Sequence, residues 1–137
     1  MITLHCGDTV LMPQPKMSTP HLWIVATEPL AQNGEAIMVN ATSLRSHSDT
    51  TLVLNRGDHP FIVKPSVISF GDSFIADVRL VANGIDYGHW PQHKRCSDSL
   101  IERIQAGILA SRWTPGKVKA FYRDLISKSL DSARPGE

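Results

Sequence analysis

The sequence predicts a small, mainly β domain in which a barrel of short strands is followed by one or two packed C-terminal helices. Short apolar runs recur at close intervals over the first half of the chain and alternate with turn residues, as is typical of strands. The final third changes to the apolar period of a helix. The chain has 137 residues, a length that suits one hydrophobic core and leaves little room for a second domain.

Five strands are predicted from the apolar runs. Gly7 and Asp8 precede the first strand, and a proline-rich loop at 13–20 separates it from the second. The predicted strands cover residues 9–12, 21–27, 36–42, 51–54 and 66–70. Residues 74–81 fit either a short helical turn or a further strand, and their pattern does not decide between the two. Strands this short and this closely spaced favour a small barrel over an open sheet.

Two helices are predicted in the final third. Ser99 and Glu102 have the spacing of a capping box, in which each side chain satisfies a backbone amide at the helix start. The first helix continues to about Trp113 on an apolar stripe formed by Leu100, Ile101, Ile104 and Ile108. Thr114 as cap and Pro115 at the first helical position begin the second helix. Its apolar stripe is formed by Val118, Phe121, Tyr122, Leu125 and Ile126.

Composition bounds the extent and location of the protein. A net charge of +1 with 20% charged residues is neither the strongly basic balance of a duplex-coating protein nor the composition of a disordered chain. We expect one domain at residues 1–129 and a flexible tail at 130–137. We expect a cytoplasmic protein without a membrane span, because no stretch approaches about 20 apolar residues.

Cys6 and Cys96 have neither zinc nor disulfide spacing and are expected to be reduced structural thiols.

Four features of the chain follow one another in a recognisable order. They are the start Gly7-Asp8 with the long loop after its strand, the strand at 21–25, the strand at 37–43 ending in Thr42-Ser43, and the late helix at 97–113. Together they resemble the MazF/PemK-like family of plasmid-maintenance toxins over residues 6–111. In that family the first strand begins with Gly-Asp, and a strand ending in Thr or Ser carries catalytic hydroxyls. The chain departs from the family at Pro20-His21, where the family commonly has an Arg-Pro pair.

The resemblance implies an SH3-like β-barrel of the MazF/PemK or CcdB kind, with a C-terminal helix and usually paired as a homodimer. Many members are metal-independent endoribonucleases, whereas relatives of the same fold inhibit DNA gyrase without cutting. The resemblance therefore implies the toxin component of a toxin-antitoxin system that cleaves single-stranded RNA, needs no cofactor and is restrained by an antitoxin protein. The alternatives are a non-catalytic barrel that binds a protein or nucleic acid, and a small enzyme with another substrate.

Metal-free RNA cleavage needs a base for the ribose 2′-hydroxyl, an acid for the leaving 5′-oxygen, and cations or amide donors for the phosphate. His59, in the Gly-Asp-His-Pro-Phe segment at 57–61, is the first catalytic candidate because histidine transfers protons near neutral pH. Asp58 beside it and Lys64 after it are candidates for substrate binding. The alternative is a plain turn, in which Asp58 caps its own backbone and His59 is solvated.

Hydroxyls and a cation near two strand ends complete the predicted site. Thr42 and His21 are further catalytic candidates, with His21 standing where the family has its Arg-Pro pair. Ser43 and Arg45 are expected to bind the substrate phosphate by hydrogen bond and charge. The alternatives are turn formation for the two hydroxyls, solvent exposure for the cations, and a plain edge-strand position for His21.

The segment at 87–93 carries two histidines and a tryptophan. Trp90 is a candidate for stacking on an RNA base, with packing of the sheet against a helix as the alternative. His89 and His93 would share one face of a helix, but Gly88 and Pro91 argue against a helix here. No metal site is therefore expected.

Overall fold

The computed structural model describes residues 1–14 and 18–133, with side chains as far as residue 130. That part of the chain forms β1 (Thr9–Pro13), β2 (Pro20–Val25), β3 (Glu35–Ser43), β4 (Val53–Leu54), β5 (Ser66–Asp77), α1 (Val78–Asp86), β6 (Gln92–His93), α2 (Asp98–Ala110) and α3 (Gly116–Ala133). Residues 15–17 of the predicted loop and residues 134–137 of the predicted tail lie outside the described residues. Helix α3 continues past Ser129, where the second helix was predicted to end.

The strands form one antiparallel sheet. Its order is β4-β5-β3-β2-β1-β6, and it curls into a half-barrel accompanied by the three helices of the described chain. The predicted mainly β fold with C-terminal helices is therefore confirmed. Strand β3 pairs with β2 on one side and β5 on the other, so a site built at its end is reached from both neighbouring strands and their loops.

All five predicted strands are present, the first three with ends within two residues of the prediction, β4 two residues shorter and β5 much longer. One further strand was missed. Strand β5 extends over 12 residues, well past the predicted end at residue 70. The ambiguous segment at 74–81 is divided between the end of β5 and the start of α1. At the junction, the Asp77 carboxylate accepts from the Arg79 amide at 3.0 Å and caps α1. The missed strand, β6, has two residues, too few to leave a periodic signal.

Strand β5 contains a wide irregularity opposite the centre of β3. Ser69 pairs with Asn40 and Phe74 pairs with Met38, so residues 70–73 lie opposite a single residue of β3. Bulges bend a strand and increase its local twist. This irregularity therefore contributes to the curl that makes the sheet a half-barrel rather than a flat layer.

Both faces of the sheet are buried. One face packs against α2 and α3 through a core that includes Leu22, Ile24, Ile37, Val39, Phe70, Leu100, Ile104, Ile108 and Val118. The other face packs against α1 and the N-terminal residues through a core that includes Leu4, Val10, Trp23, Val25, Met38, Val78, Val81 and Ala82. Because β3 is covered on both sides, residues 36–41 are buried without alternation.

The starts of the two C-terminal helices differ slightly from the predicted ones. Ser97, not the predicted Ser99, caps α2, and its Oγ accepts from a helix amide at 3.1 Å. This cap places Asp98 in the first turn, where the helix dipole stabilises a carboxylate. Helix α3 begins at Gly116, two residues after the predicted cap Thr114. The carbonyl of Pro115 accepts from the amides of Val118 and Lys119 at 3.0 and 3.1 Å, which are the first hydrogen bonds of the helix.

The two cysteines are free thiols, as predicted. Cys6 is half-buried and Cys96 is buried. Burial raises the pKa of the Cys96 thiol to about 12, so this residue does not supply a thiolate near neutral pH.

Over the described ranges, none of the helices combines the length and the apolar character needed to cross a membrane.

Gly107 allows α2 to lie directly on the sheet. A Cβ atom built at this position would lie 2.2 Å from Cζ of Phe70, whose side chain is fully buried. We expect Gly107→Ala to lower the free energy of unfolding by about 2 kcal/mol, because overpacking of this severity costs about 3 kcal/mol and the gain in helix propensity returns about 1 kcal/mol. Urea denaturation followed by circular dichroism measures the difference.

The control for this variant is Gly116→Ala at the first residue of α3. Nothing lies within 4 Å of a Cβ atom added there, so we expect this protein to be at least as stable as the wild type. Equal stabilities of the Gly107→Ala and Gly116→Ala proteins would show that α2 moves away from Phe70 without cost.

Candidate functional site

One end of the sheet brings together residues that are far apart in the sequence. Leu22 of β2 pairs with Ala41 of β3 in antiparallel register. His21 precedes Leu22 and Thr42 follows Ala41, so the two lie side by side at the same end of the ladder. Ser43 follows directly as the last residue of β3. Three of the predicted site residues thus share one edge of the half-barrel.

The loops beyond these strands complete a groove over the strand ends. The amide of Leu44 donates to the carbonyl of Pro65 at 3.1 Å, which joins the loop after β3 to the segment before β5. Arg45 lies on the first loop and Lys64 on the second. The groove has a volume of about 470 Å³, and we call it the strand-end groove. It is lined by five predicted site residues and two exposed apolar side chains, namely His21, Thr42, Ser43, Arg45, Lys64, Phe61 and Val63.

The strand-end groove is positively charged. Arg45 and Lys64 are both exposed, and among the lining residues that the structure describes there is no carboxylate. The ion pairs found in the described chain all lie elsewhere and involve neither of these cations. Phosphate is the natural ligand of such a pair, because a guanidinium binds it in bidentate fashion and an ammonium as a point charge.

His21 is half-buried in the wall of the groove. Its Nε2 atom is enclosed and has no hydrogen-bond partner among the described residues. A ring nitrogen that has no hydrogen-bond partner in the protein is available to form a hydrogen bond with a ligand. Thr42 and Ser43 are half-buried beside it and add two hydroxyl groups. The groove therefore combines an imidazole with two hydroxyl groups and two cations.

Asn40 is a functional candidate that the sequence analysis missed. Its side chain is fully buried, and neither Oδ1 nor Nδ2 has a partner within the described part of the chain. Alternate residues of a strand share a face, so Asn40 and Thr42 lie on the same face, and Trp23 is the register partner of Asn40. His21 is then a diagonal neighbour of Asn40. Unpaired buried groups commonly mark a ligand, a water or a catalytic role.

His59 occupies a structural position away from the groove. Its ring is 3% exposed. Nδ1 accepts from the amide of Phe61 at 3.0 Å, and Nε2 lies 2.6 Å from the carbonyl oxygen of Lys94. Because a carbonyl only accepts, Nε2 carries the proton and the ring is neutral. Burial lowers the pKa of His59 and outweighs the opposing effect of the Lys94 carbonyl. Neither nitrogen is free for proton transfer, and the solvated-turn alternative for His59 does not apply either.

Asp58 also has protein partners. One carboxylate oxygen accepts from the Asn55 amide at 2.7 Å, which caps the turn as the plain-turn alternative describes. The other oxygen accepts from Nη1 of Arg103 on α2 at 3.1 Å. Asp58 thus ties the turn after β4 to α2, and it does not line the strand-end groove.

Trp90 lies on the face of the sheet that α1 covers. Its ring packs against Gly84 of α1, where an added Cβ atom would lie 2.3 Å from Cζ3 of the indole. The ring is half-buried and belongs to the core beneath α1. The packing alternative therefore describes Trp90 better than base stacking does, although the helix involved is α1 rather than a C-terminal one.

The two histidines near Trp90 do not share a helix. Gly88 has a φ of +82°, a left-handed conformation that ends α1, and His93 lies in β6. Across the ranges that the structure describes, no group of three or more His, Cys, Asp and Glu side chains is arranged to hold a metal ion.

Comparisons with known proteins assign no family to the chain. No protein-family model matches the sequence, and no curated protein matches it significantly. The resemblance to the MazF/PemK-like toxins therefore stays an expectation based on short motifs. The functional evidence in the molecule itself is the chemistry of the strand-end groove.

Proposed function

We propose that the strand-end groove binds the phosphodiester backbone of single-stranded RNA, and that the protein is a toxin-type, metal-independent endoribonuclease built on an SH3-like barrel. The observation that carries the proposal is the charge of the groove. Arg45 and Lys64 line it with no carboxylate among its described residues. The whole chain has a net charge of only +1, so binding of a nucleic acid requires a local cluster of cations. The groove supplies such a cluster.

Exposed apolar side chains favour a nucleic acid over a free phosphate ion. Phe61 is 36% exposed and Val63 is 63% exposed, and both line the groove beside the two cations. Single strands are bound by cationic grooves that track the backbone and by aromatic side chains that contact the bases. Phosphate alone would make no use of these apolar surfaces, whereas the ribose and bases of RNA would.

The residues of the groove supply the parts of a transesterification. His21 takes the proton of the ribose 2′-hydroxyl, and the 2′-oxygen attacks the phosphorus. The bond from phosphorus to the 2′-oxygen forms as the bond to the 5′-oxygen breaks, and the leaving oxygen takes a proton from solvent. Thr42 and Ser43 donate hydrogen bonds to the phosphate, while Arg45 and Lys64 neutralise its charge. The products are a 2′,3′-cyclic phosphate and a 5′-hydroxyl.

Partners follow from the resemblance and the groove together. On the resemblance, we propose that the protein is a homodimer restrained by an antitoxin protein. A restraining partner acts most directly by covering the strand-end groove, and the uncompensated charge of Arg45 and Lys64 favours an acidic segment for that purpose. Covering the groove would stop RNA binding without altering the fold.

A second candidate function is RNA binding without turnover, or the protein binding of a gyrase-inhibitor-like toxin. The enclosed position of the His21 Nε2 atom favours this alternative, because a catalytic nitrogen must reach the proton that it transfers. Purified protein is incubated with a long unstructured RNA in excess EDTA, and the fragment ends are analysed. Fragments with cyclic phosphate ends support the endoribonuclease, and saturable binding without fragments supports the alternative.

The charge of the groove gives the main test of RNA binding. We expect the double variant Arg45→Gln/Lys64→Gln to bind a fluorescein-labelled single-stranded RNA at least about tenfold more weakly than the wild type. The slope of log affinity against log salt concentration should fall by about 1.4, since each lost single-strand phosphate contact removes about 0.7. Fluorescence anisotropy over a salt series measures both quantities.

The matched control removes the same charge from another surface. Lys117→Gln/Arg123→Gln changes two exposed cations of α3 and leaves the strand-end groove intact. We expect this protein to keep the affinity and most of the salt slope of the wild type. Equal losses in the two double variants would show that binding responds only to net charge, and the groove would then not be the RNA site.

A further inference from the structure

A second surface suited to nucleic acid adjoins the strand-end groove. Trp113 lies in the turn between α2 and α3 and is 56% exposed, a large apolar area for one side chain. The guanidinium carbon of Arg112 lies 4.7 Å from the centre of its ring, close enough for a cation–π interaction. We call Trp113, Arg112 and the neighbouring His47 and Ser69 the Trp113 surface.

The backbone beneath the indole is held firmly. The amide of Trp113 donates to Ser111 Oγ at 3.1 Å, and this hydroxyl donates to the Asp49 carboxylate at 2.6 Å. Ser111 is fully buried. The exposed ring therefore stands on a fixed turn, so little ordering entropy is lost when a ligand stacks on it.

The Trp113 surface borders two shallow depressions. One has a volume of about 410 Å³ and the other about 220 Å³, and both are lined by Asp49 and Trp113. Burial alone would raise the pKa of Asp49, but its hydrogen bonds from Ser111 and Thr51 hold the pKa below the usual range, so the carboxylate is charged. The carboxylate repels phosphate, and both of its oxygens already accept hydrogen bonds from the protein, whereas the exposed indole beside it offers a stacking surface. This surface therefore suits a base rather than the backbone.

The Trp113 surface and the strand-end groove are continuous along the chain. Arg45 lines the groove, and His47, two residues later, lines the smaller depression beside Trp113. Strand β5 passes from one site to the other, because Ser66 lines the groove and Ser69, which faces the opposite side of the strand, lines the depression. At a rise of about 3.3 Å per residue these two serines are about 10 Å apart, a distance that a short single strand spans.

We propose that Trp113 is a base-stacking subsite for a nucleotide that adjoins the phosphate held in the strand-end groove. The inference rests on the proposed RNA binding and adds a base-binding position to it. Stacking is tolerant of base identity, since every base has a π-face. The subsite therefore adds affinity at one position of the strand and accepts any of the four bases there.

The test combines two substitutions with a base-deleted ligand. Fluorescence anisotropy is measured with a labelled single-stranded RNA and with versions that lack one base at successive positions. We expect Trp113→Ala to weaken binding about tenfold, the size of the loss of one stacked base, and Trp113→Phe to recover most of it. One abasic position should weaken binding to the wild type and have no further effect on Trp113→Ala.

Tyr87→Ala is the control, because Tyr87 is an aromatic residue with 80% exposure that caps the C-terminal end of α1 and lines neither depression. We expect it to bind like the wild type. Trp113→Ala with wild-type affinity, while Arg45→Gln/Lys64→Gln is weakened, would overturn the stacking subsite and leave the groove in place. A wild-type protein that binds no single-stranded RNA would remove the proposed function and the subsite together.

Discussion

For the proposed endoribonuclease, we expect His21→Gln to lower the rate of RNA cleavage by a factor of about 100 to 10,000, the contribution of a positioned acid or base, and to retain RNA binding. Glutamine keeps the polarity and much of the volume of the imidazole but does not titrate near neutral pH. Arg45 and Lys64, the proposed phosphate contacts, are unchanged, so we expect the affinity to depend little on this substitution. Single-turnover cleavage in excess EDTA and anisotropy with the same RNA measure the two effects separately.

The control for this variant is His89→Gln. His89 is exposed next to Trp90 and does not line the strand-end groove, so the variant should cleave RNA at the wild-type rate. Unchanged cleavage by His21→Gln would contradict the assigned role, and the proton-transfer group would have to be sought elsewhere. If the wild type and both histidine variants bind RNA but none of them cleaves it, the result would favour the non-catalytic alternative.

His59→Ala lowers the free energy of unfolding by about 2–4 kcal/mol. The substitution leaves the Phe61 amide without its acceptor at 3.0 Å. It also removes the donor that lies 2.6 Å from the Lys94 carbonyl, which keeps its second donor, the Thr9 hydroxyl, at 2.9 Å. The unsatisfied amide costs about 1–3 kcal/mol, and the lost hydrogen bond to the carbonyl adds about 0.5–1.5 kcal/mol. Urea denaturation gives the free energy directly. Wild-type stability of His59→Ala would show that the imidazole does not brace these loops.

The same histidine makes stability depend on pH. Burial lowers the pKa of His59 in the folded state, so the unfolded state binds a proton more readily, with a pKa of about 6.5. Stability is then full above about pH 6.5 and falls as the pH decreases below that value. His5 acts in the opposite sense, because its hydrogen bond to Glu28 raises its pKa. The loss that begins near pH 6.5, above the range in which the carboxylates titrate, should therefore be clearest in His5→Gln and absent from His5→Gln/His59→Ala.

The strands were predictable because their apolar runs are local, whereas their extent depends on tertiary pairing. Residues 74–81 are apolar enough for either state, and they divide only because β3 pairs with residues as far as Asp77, after which that carboxylate caps α1. Strand β6 exists by pairing with β1 alone. Neither the irregularity of β5 nor the approach of Phe70 to Gly107 leaves a local pattern, since both depend on packing across the sheet.

The candidate site shows the same limit. Strand ends at Thr42 and His21 were predictable, and the register that puts them side by side follows from the pairing of β2 with β3. The place of His59 was not predictable, because its partner Lys94 lies 35 residues away along the chain. Asn40 did leave a signal, since it is a polar residue inside the apolar run Ile37-Met38-Val39-Asn40-Ala41. A buried amide in such a run deserves a functional test.

The strand-end groove is built partly from the end of strand β3 and partly from exposed loops. Residues 36–41 are enclosed between two cores and two neighbouring strands, so their amides exchange hydrogen with solvent only when the whole sheet opens. Thr42 and Ser43 continue this protected strand, whereas Arg45 and Lys64 sit on exposed loops. In the proposed RNA complex, the hydroxyls would therefore hold one fixed point on the strand, and the cations on the loops would follow backbones of different local shape.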